Sequence, residues 1–207
     1  MSLESVMLVW RGGVGPGADR PQEFPEMTRT QAFRHMALAG PGDEVLLLRS
    51  MTGTEELGKL FHYTLECVSE SPDVVFEDWL GQNVTVRLST HGGDRDRFLN
   101  GIVSQMEQTG MIGRLAVYRL TLVPFVWLLT RKADCRIFQD QSVPEIVQEL
   151  IKEKGFTDIE LRLSREYKKR EYTVQYRETD MNFISRLMES EGIYFYFLHE
   201  DGKHTLV

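Results

Sequence analysis

Apolar and polar residues alternate in short segments along the first half of the chain, a pattern typical of half-buried β-strands. Between residues 61 and 68, the side chains of Phe61, Tyr63, Leu65 and Cys67 would share one face, because successive strand residues point to opposite sides. Similar segments predict strands over residues 31–38, 44–49, 83–88, 98–106 and 115–123. Turns containing glycine separate them, so we expect consecutive hairpins, the first joining segments 31–38 and 44–49. Strands at this spacing favour an antiparallel barrel or sandwich.

The pattern changes to a helical one after residue 129. Apolar residues at i, i+3, i+4, i+7 and i+8 predict one amphipathic helix: Val143, Ile146, Val147, Leu150 and Ile151. Ser142 and Glu145 have the spacing of a capping box at its start. A second helix is predicted from Asp180 to Glu191, with Thr179 as its N-cap and Gly192 as the left-handed residue that ends it.

Two segments are too apolar for strands that face solvent on one side. Residues 193–198 are apolar on both faces, which predicts that helices, another sheet or another subunit cover both. Residues 123–129 are similarly apolar, and burial between two domains is an alternative to an interface there. Strands are also expected over residues 172–176 and 204–207.

These elements predict an α+β fold that is mostly β: an antiparallel β-barrel followed by a smaller α/β region with two amphipathic helices. We expect a flexible leader over residues 1–27, because glycine and proline are dense there. The barrel, or hub domain, is predicted over residues 28–133 and the α/β region over residues 134–207. A final strand without a polar tail predicts that the α/β region is incomplete and the chain a fragment.

The composition excludes several classes of protein. The chain has 207 residues, 42% hydrophobic and 27% charged, as in ordinary globular proteins. Its net charge of −7 disfavours nucleic acid as a partner. Two cysteines, Cys67 and Cys135, are too few for a disulfide-rich scaffold or a cysteine zinc site. No apolar run approaches the roughly 20 residues of a transmembrane helix, and we predict no signal peptide.

The sequence also lacks the motifs of common active sites. Neither GxSxG nor HExxH is present. His199 and His204 are interpreted as exposed hairpin residues rather than metal ligands, because no nearby segment supplies further ligands. Asp94 and Asp96 are interpreted as solvated turn residues, and Cys67 as a small core residue. We therefore expect no catalytic residue, no cofactor and no metal site.

Several segments in a shared order resemble a known family over most of residues 44–207. The segments are Glu55–Phe61, Leu80–Val84, Phe98–Val103, Tyr118–Pro124, Trp127–Leu129, Arg136–Asp140 and, most specifically, Gln175–Phe195. Together they resemble the N-terminal hub-like module of VgrG, the spike protein of bacterial type VI secretion systems. The resemblance assigns structural roles to Leu57, Phe61, Leu80, Gly81, Gly101, Tyr118, Pro124, Trp127, Leu128, Gln175, Tyr176, Glu178, Asp180, Phe183, Arg186, Leu187, Glu191 and Gly192.

The resemblance implies a structural protein rather than an enzyme. It implies a homotrimer in the full-length protein, whose hub resembles the baseplate hub of contractile phage tails and sits on a tube of Hcp rings. Secreted effectors are the other implied partners, and a membrane is met only by mechanical puncture. Assembly in the cytoplasm, followed by export through the contractile apparatus, is implied as well.

Three alternatives remain open at this point. The first is a baseplate hub, or late control protein D-like protein, of a contractile phage tail, which would share the fold. The second is an enzyme such as a cell-wall hydrolase. The third is a monomeric ligand-binding barrel, which would differ from a hub in showing no concentration-dependent assembly.

Overall fold

The computed structural model describes residues 30–31, 34–42, 44–89 and 96–207. The predicted leader over residues 1–27 and the turn residue Asp94 lie outside the described residues. The chain divides into two compact units, each built from separate stretches of sequence. Unit 1 comprises the described residues up to 54, residues 62–122 and residues 200–203, and unit 2 comprises residues 55–61, 123–199 and 204–207.

The described part of the chain is mostly β, as predicted. Its strands are β1 (Met36–Ala39), β2 (Leu47–Thr54), β3 (His62–Ser69), β4 (Asn83–Ser89), β5 (Asp96–Ile112), β6 (Leu115–Val123), β7 (Ala133–Gln141), β8 (Arg170–Thr179), β9 (Phe197–Glu200) and β10 (Lys203–Leu206). The α-helices are α1 (Val143–Glu153) and α2 (Asp180–Glu191), and short 3-10 helices span Phe76–Asp78 and Phe125–Thr130.

Six strands form one sheet in the order β1-β4-β5-β6-β3-β2. The prediction that the first two strands form a hairpin is wrong. β1 pairs antiparallel with β4, and β2 pairs antiparallel with β3. The physical reason is the connection from Ala39 to Leu47, which is longer than the two to five residues of common hairpin loops. β1 and β2 therefore stand at opposite ends of the strand order.

The side chain of Gln31 links these two end strands. Its Oε1 accepts hydrogen bonds from the backbone N–H groups of Leu38 at 2.9 Å and Leu48 at 3.1 Å. Its Nε2 donates to the carbonyl oxygens of Leu38 at 3.1 Å and Leu46 at 3.2 Å. Gln31 is only 6% exposed, so all four bonds are shielded from water. The amide thus does for β1 and β2 what a neighbouring strand would do with its peptide groups.

The core of unit 1 follows the predicted alternation on β3. Tyr63, Leu65 and Cys67 are all buried. Cys67 is confirmed as a core residue, and burial raises the pKa of its thiol. Phe61, which we predicted on the same strand face, precedes β3 and packs within unit 2. Asp96, at the start of β5, forms an ion pair with Arg87 at 3.3 Å.

In unit 2 both predicted helices are confirmed, together with their ends. The Glu145 carboxylate accepts a hydrogen bond from the backbone N–H of Ser142 at 2.7 Å, which lowers the pKa of Glu145. Thr179 Oγ1 accepts from the N–H of Asn182 at 3.1 Å and caps α2. Gly192 ends α2 with a φ of 71°, where a side chain would be strained.

Unit 2 contains a two-stranded antiparallel sheet of β7 and β8, and β9 pairs with β10. The segment 193–198 is covered on one face within the chain, because Phe195 and Phe197 are buried whereas Tyr194 is 63% exposed. β7 was not predicted as a strand. No helix in the described residues is long and apolar enough to cross a membrane.

Candidate interaction surfaces

A buried polar network fixes the junction between β8 and α2. Gln175 is fully buried, and its Nε2 donates to the carbonyl oxygen of Glu178 at 3.1 Å and to Oδ1 of Asp180 at 2.9 Å. Asp180 is only 2% exposed, and its Oδ2 lies 3.4 Å from Nζ of Lys154. A buried carboxylate needs such partners, because an unpaired charge in the interior is strongly destabilising. We call Gln175, Glu178, Asp180 and Arg186 the β8–α2 lock.

Arg186 holds α2 against β8 by a forked contact. Its Nε lies 3.0 Å from each carboxylate oxygen of Glu178, and its Nη2 lies 2.6 Å from Oε1. These hydrogen bonds lower the pKa of Glu178. Nη2 also donates to the carbonyl oxygen of Val174 at 2.7 Å, and the guanidinium lies 5.0 Å from the ring centroid of Phe183. Such bidentate, charge-assisted contacts stabilise the packing of α2 on β8 and also define its geometry.

The apolar side of α2 completes this packing. Phe183 and Leu187 are buried, and Phe138 of β7 stacks on Phe183 with a ring-centroid distance of 5.3 Å. At the end of the helix, Glu191 accepts hydrogen bonds from Arg165 at 3.2 Å and Arg170 at 2.6 Å. The motif from Gln175 to Gly192 therefore joins a strand, a helix and the segment before that strand.

The other face of the β7–β8 sheet is apolar and exposed. Ile137 is 59% exposed, Tyr172 56%, Val174 37% and Tyr176 65%. The register places Ile137 opposite Val174 and Cys135 opposite Tyr176, so these side chains form one continuous surface. We call Cys135, Ile137, Tyr172, Val174 and Tyr176 the ribbon face.

A groove lies elsewhere in unit 2 and has a volume of about 250 Å³. Its walls include Leu161, Leu163, Tyr194, Tyr196 and Val207. The volume is below the roughly 300–1,000 Å³ of typical small-molecule sites. The groove therefore does not by itself indicate a cofactor or substrate.

His199 and His204 lie in the paired strands β9 and β10, but their side chains are not exposed, so the interpretation of them as exposed residues is wrong. His204 is 3% exposed, and its Nε2 accepts a hydrogen bond from the backbone N–H of Phe125 at 2.9 Å. Burial, with a smaller contribution from His199, lowers the pKa of His204 to about 3. His199 Nε2 lies 3.1 Å from Oε1 of Glu55. Among the described residues, no cluster of histidine, cysteine and carboxylate side chains is arranged to hold a metal ion.

Phe61 is the centre of an aromatic cluster with these histidines. Its ring centroid lies 4.9 Å from that of Phe197 in an edge-to-face arrangement, and 5.5 Å from that of His204. Phe125 stacks on His204 with centroids 5.0 Å apart. The cluster thus joins Phe61 to the apolar segment after Pro124 within unit 2.

The remaining motif residues of unit 1 are spread over its sheet and loops. Tyr118 is fully buried, and its hydroxyl donates to the carbonyl oxygen of Ser71 at 3.2 Å. Gly81 has a φ of 76°, and its N–H donates to the carbonyl oxygen of Val103 at 2.8 Å. Gly101 lies in β5 and pairs with Val84 of β4, and Leu80 is exposed.

The remaining motif residues of unit 2 lie at its surface or in a short helix. Leu57 is exposed. Pro124 precedes the 3-10 helix that contains Trp127 and Leu128, and Leu128 is 37% exposed. The guanidinium of Arg131 lies 5.1 Å from the centroid of the Trp127 ring. The structure thus gathers the motif residues of the β8–α2 region into one cluster, and the 3-10 helix that contains Trp127 and Leu128 packs against α2.

Sequence reasoning missed four of the five ribbon-face residues. Cys135, Ile137, Tyr172 and Val174 were not among the candidate positions, although Tyr176 was. The signal that could have found them is the period-two repeat of Tyr172, Val174 and Tyr176, which places large apolar side chains on one face of β8.

The exposed apolar surface of the β7–β8 sheet indicates a contact site for further polypeptide. Residues 54–207 match the phage tail baseplate hub (GPD) family, so the chain belongs to that family.

The chain is similar to curated type VI secretion spike proteins of Pseudomonas aeruginosa. It is 52% identical to VgrG1a over 166 residues, covering 80% of this chain and 26% of that protein. It is 45% identical to VgrG1c over 206 residues, covering 97% of this chain and 28% of that protein. The chain therefore spans about a quarter of the length of these relatives.

A solved structure shares the fold. The E. coli c3393 protein, a component of the type VI secretion system with structural similarity to the T4 bacteriophage tail proteins gp27 and gp5, superimposes with a TM-score of 0.73 at 28% identity. The match covers 82% of this chain and 47% of that chain. The superposition therefore includes most of this chain.

Proposed function

We propose that this chain is the hub module of a type VI secretion spike protein. The observation that carries the proposal is the family match over residues 54–207, which includes the complete β8–α2 lock, combined with 45–52% identity to spike proteins. The motif positions serve the fold and the assembly, and the module does not catalyse a reaction.

The partners follow from this role. In the full-length protein three copies assemble, the hub sits on the Hcp tube, and effectors travel with the spike, which meets a membrane only by puncturing it. The proposal includes a closed antiparallel barrel in unit 1. The Gln31 side chain supports closure, because its four hydrogen bonds hold Leu38 of β1, Leu46 just before β2 and Leu48 of β2 to one amide group.

Along the sequence, we propose a leader over residues 1–27, a hub domain over residues 28–133 whose residues 55–61 and 123–133 belong to unit 2, and an α/β region over residues 134–207 that further polypeptide completes. The length of the relatives supports this, since the chain spans about a quarter of them. Assembly in the cytoplasm followed by export through the contractile apparatus belongs to the same proposal.

The experiment is an export assay on the full-length protein in its own cells, with and without Hcp. We expect the protein in the medium only when Hcp is present, and trimers by sedimentation of the purified protein. Export without Hcp, or a protein that stays monomeric at all concentrations, would contradict the proposal.

A phage-tail hub is the second candidate. The observation that favours it is that the chain belongs to the phage tail baseplate hub family. The two candidates differ in the tube protein that they bind. Co-purification of the hub with a prophage tail-tube protein instead of Hcp would identify the phage particle.

A further inference from the structure

β8 is folded with its polar side inward and its apolar side outward. Thr173 and Gln175 are 6% and 0% exposed, whereas their neighbours Tyr172, Val174 and Tyr176 are exposed. In a strand with one face in solvent the arrangement is normally the reverse. Two polar atoms on the inward side, Thr173 Oγ1 and Gln175 Oε1, have no hydrogen-bond partner among the described residues. Such a strand is suited to a state in which its outer face is also covered.

The position of this face is fixed before any partner binds. The β8–α2 lock holds the backbone of β8, because Arg186 donates to the carbonyl oxygen of Val174 while it is paired with Glu178. On the opposite strand, Phe138 anchors β7 against Phe183. A rigid apolar surface loses little conformational entropy when it is covered, which favours binding.

The composition of the ribbon face is that of the centre of a protein interface. Two tyrosines, two aliphatic residues and Cys135 occupy it, the exposed Gln139 lies opposite Tyr172, and no lysine or carboxylate is among these residues. Interface centres are depleted of charged residues and enriched in aromatic ones. Arg177, beside the face, lies 5.3 Å from the centroid of the Tyr176 ring.

The size of the surface also fits a subunit contact. At the observed exposures the two tyrosines, Ile137 and Val174 present roughly 350 Å² of side-chain surface, taking about 200 Å² for a tyrosine and about 100 Å² for an aliphatic side chain. A standard interface buries about 800 Å² per partner, of which a little over half, about 450 Å², is non-polar. The ribbon face thus supplies most of the apolar surface of one such contact.

We infer that the ribbon face is a contact surface between copies of this chain, and that a neighbouring subunit covers Cys135, Ile137 and Tyr176. The inference rests on the proposed function, because it names the surface through which the hub assembles. In a closed ring each subunit contacts its neighbour through two different surfaces, and the ribbon face is one of them.

Cys135 provides a direct test, because it is exposed on the ribbon face while Cys67 is buried in the core of unit 1. The full-length protein is treated with a maleimide above and below the concentration at which it dissociates, and peptides are quantified by mass spectrometry. We expect Cys135 to react at least tenfold more slowly in the assembled protein, with Cys67 unreactive at both concentrations. Equal reaction rates of Cys135 in the two states would overturn the inference. Protection of Cys135 in the dissociated protein would also overturn it, because the same polypeptide would then cover this residue.

A pair of variants provides the second test. Ile137→Asp places a charge on the ribbon face, and Val75→Asp places one at a similarly exposed apolar residue of unit 1. Both side chains are exposed in the 207-residue chain, so the melting temperature of that chain should change little. We expect Ile137→Asp to weaken assembly of the full-length protein at least tenfold and Val75→Asp to leave it unchanged. If the wild type forms trimers and Ile137→Asp does not weaken their assembly, this inference is overturned and the proposed function stands. If the wild type is monomeric, both are overturned.

Discussion

The Gln31 side chain offers the sharpest test of how unit 1 is held together. Replacing it by leucine in the variant Gln31→Leu keeps the approximate size and removes all four hydrogen bonds to β1, β2 and the residue before β2. The N–H groups of Leu38 and Leu48 and the carbonyl oxygens of Leu38 and Leu46 then lose a partner in a buried environment.

The expected loss is a large part of the stability of a domain. Each hydrogen bond contributes about 1 kcal/mol net, and a buried group left without a partner costs about 1–3 kcal/mol. Four bonds therefore give a loss of about 4 kcal/mol, close to a thousandfold in the folding equilibrium. Typical domains have 5–15 kcal/mol in total.

Urea unfolding of the 207-residue chain, followed by tryptophan fluorescence, measures this loss. Trp79 is buried within unit 1 and reports on its unfolding. Gln105→Leu on β5 is the matched control, because Gln105 is exposed and its replacement should stay within about 0.5 kcal/mol of wild type.

A second variant separates the donor from the acceptor role. Gln31→Glu keeps an oxygen for the N–H groups of Leu38 and Leu48 but offers no donor to the two carbonyl oxygens while it is ionised. We expect it to be more destabilising at pH 7 than at pH 4, where protonation restores one donor. If the free energy of unfolding of Gln31→Leu lies within 1 kcal/mol of the wild-type value, the side chain does not join the end strands in solution and the reasoning is refuted.

Three further predictions concern single residues. His204→Gln removes a histidine whose pKa of about 3 lies below its ordinary 6.5; since the unfolded chain binds this proton first as the pH falls, wild-type stability drops between pH 6.5 and 3. Calorimetry at pH 7 and pH 4 should show that the free energy of unfolding falls by about 3 kcal/mol less in the variant than in wild type. Equal decreases would contradict a lowered pKa of His204. Arg177→Val should be about 1–2 kcal/mol less stable than Arg177→Gly in chemical unfolding, because φ is 50° there, and equal stabilities would mean that β8 relaxes. Gly53→Ala should cost about 1–3 kcal/mol by the same method, because its Cβ would lie 2.8 Å from the carbonyl oxygen of His62 and against the Tyr63 ring; an unaffected midpoint would show that β2 can shift.

Local signals explain why the helices could be predicted from sequence. Ser142 with Glu145, and Thr179 with Gly192, act within one turn of the helix that they begin or end. The apolar stripe of α1 needs no knowledge of its partner to be recognised. Elements defined by neighbours in sequence are therefore the ones that the sequence predicts well.

Strand pairing could not be predicted in the same way. The alternation on β3 identified its buried face. The length of the connection after β1 disfavours a hairpin with β2, but nothing local indicates that β4 is the partner of β1. The role of Gln31 depends on groups up to seventeen positions away, and a lone glutamine ahead of a strand carries no signal of it.

The candidate surfaces show the same division. Period-two repetition on β8 tells which side chains share a face, but it does not tell which face the helices will cover, and here they cover Thr173 and Gln175. His204 was likewise interpreted as exposed, because the aromatic rings of Phe61 and Phe125 that surround it are distant in sequence.

The way in which Gln31 joins β1 and β2 has a mechanical consequence. Separating β2 from β3 requires rupture of a backbone ladder that extends from Leu47 to Thr54. A pulling force applied between β1 and β2 instead acts on the hydrogen bonds of the Gln31 side chain. Under load the sheet should open first beside Gln31, leaving the five backbone-paired strand pairs intact.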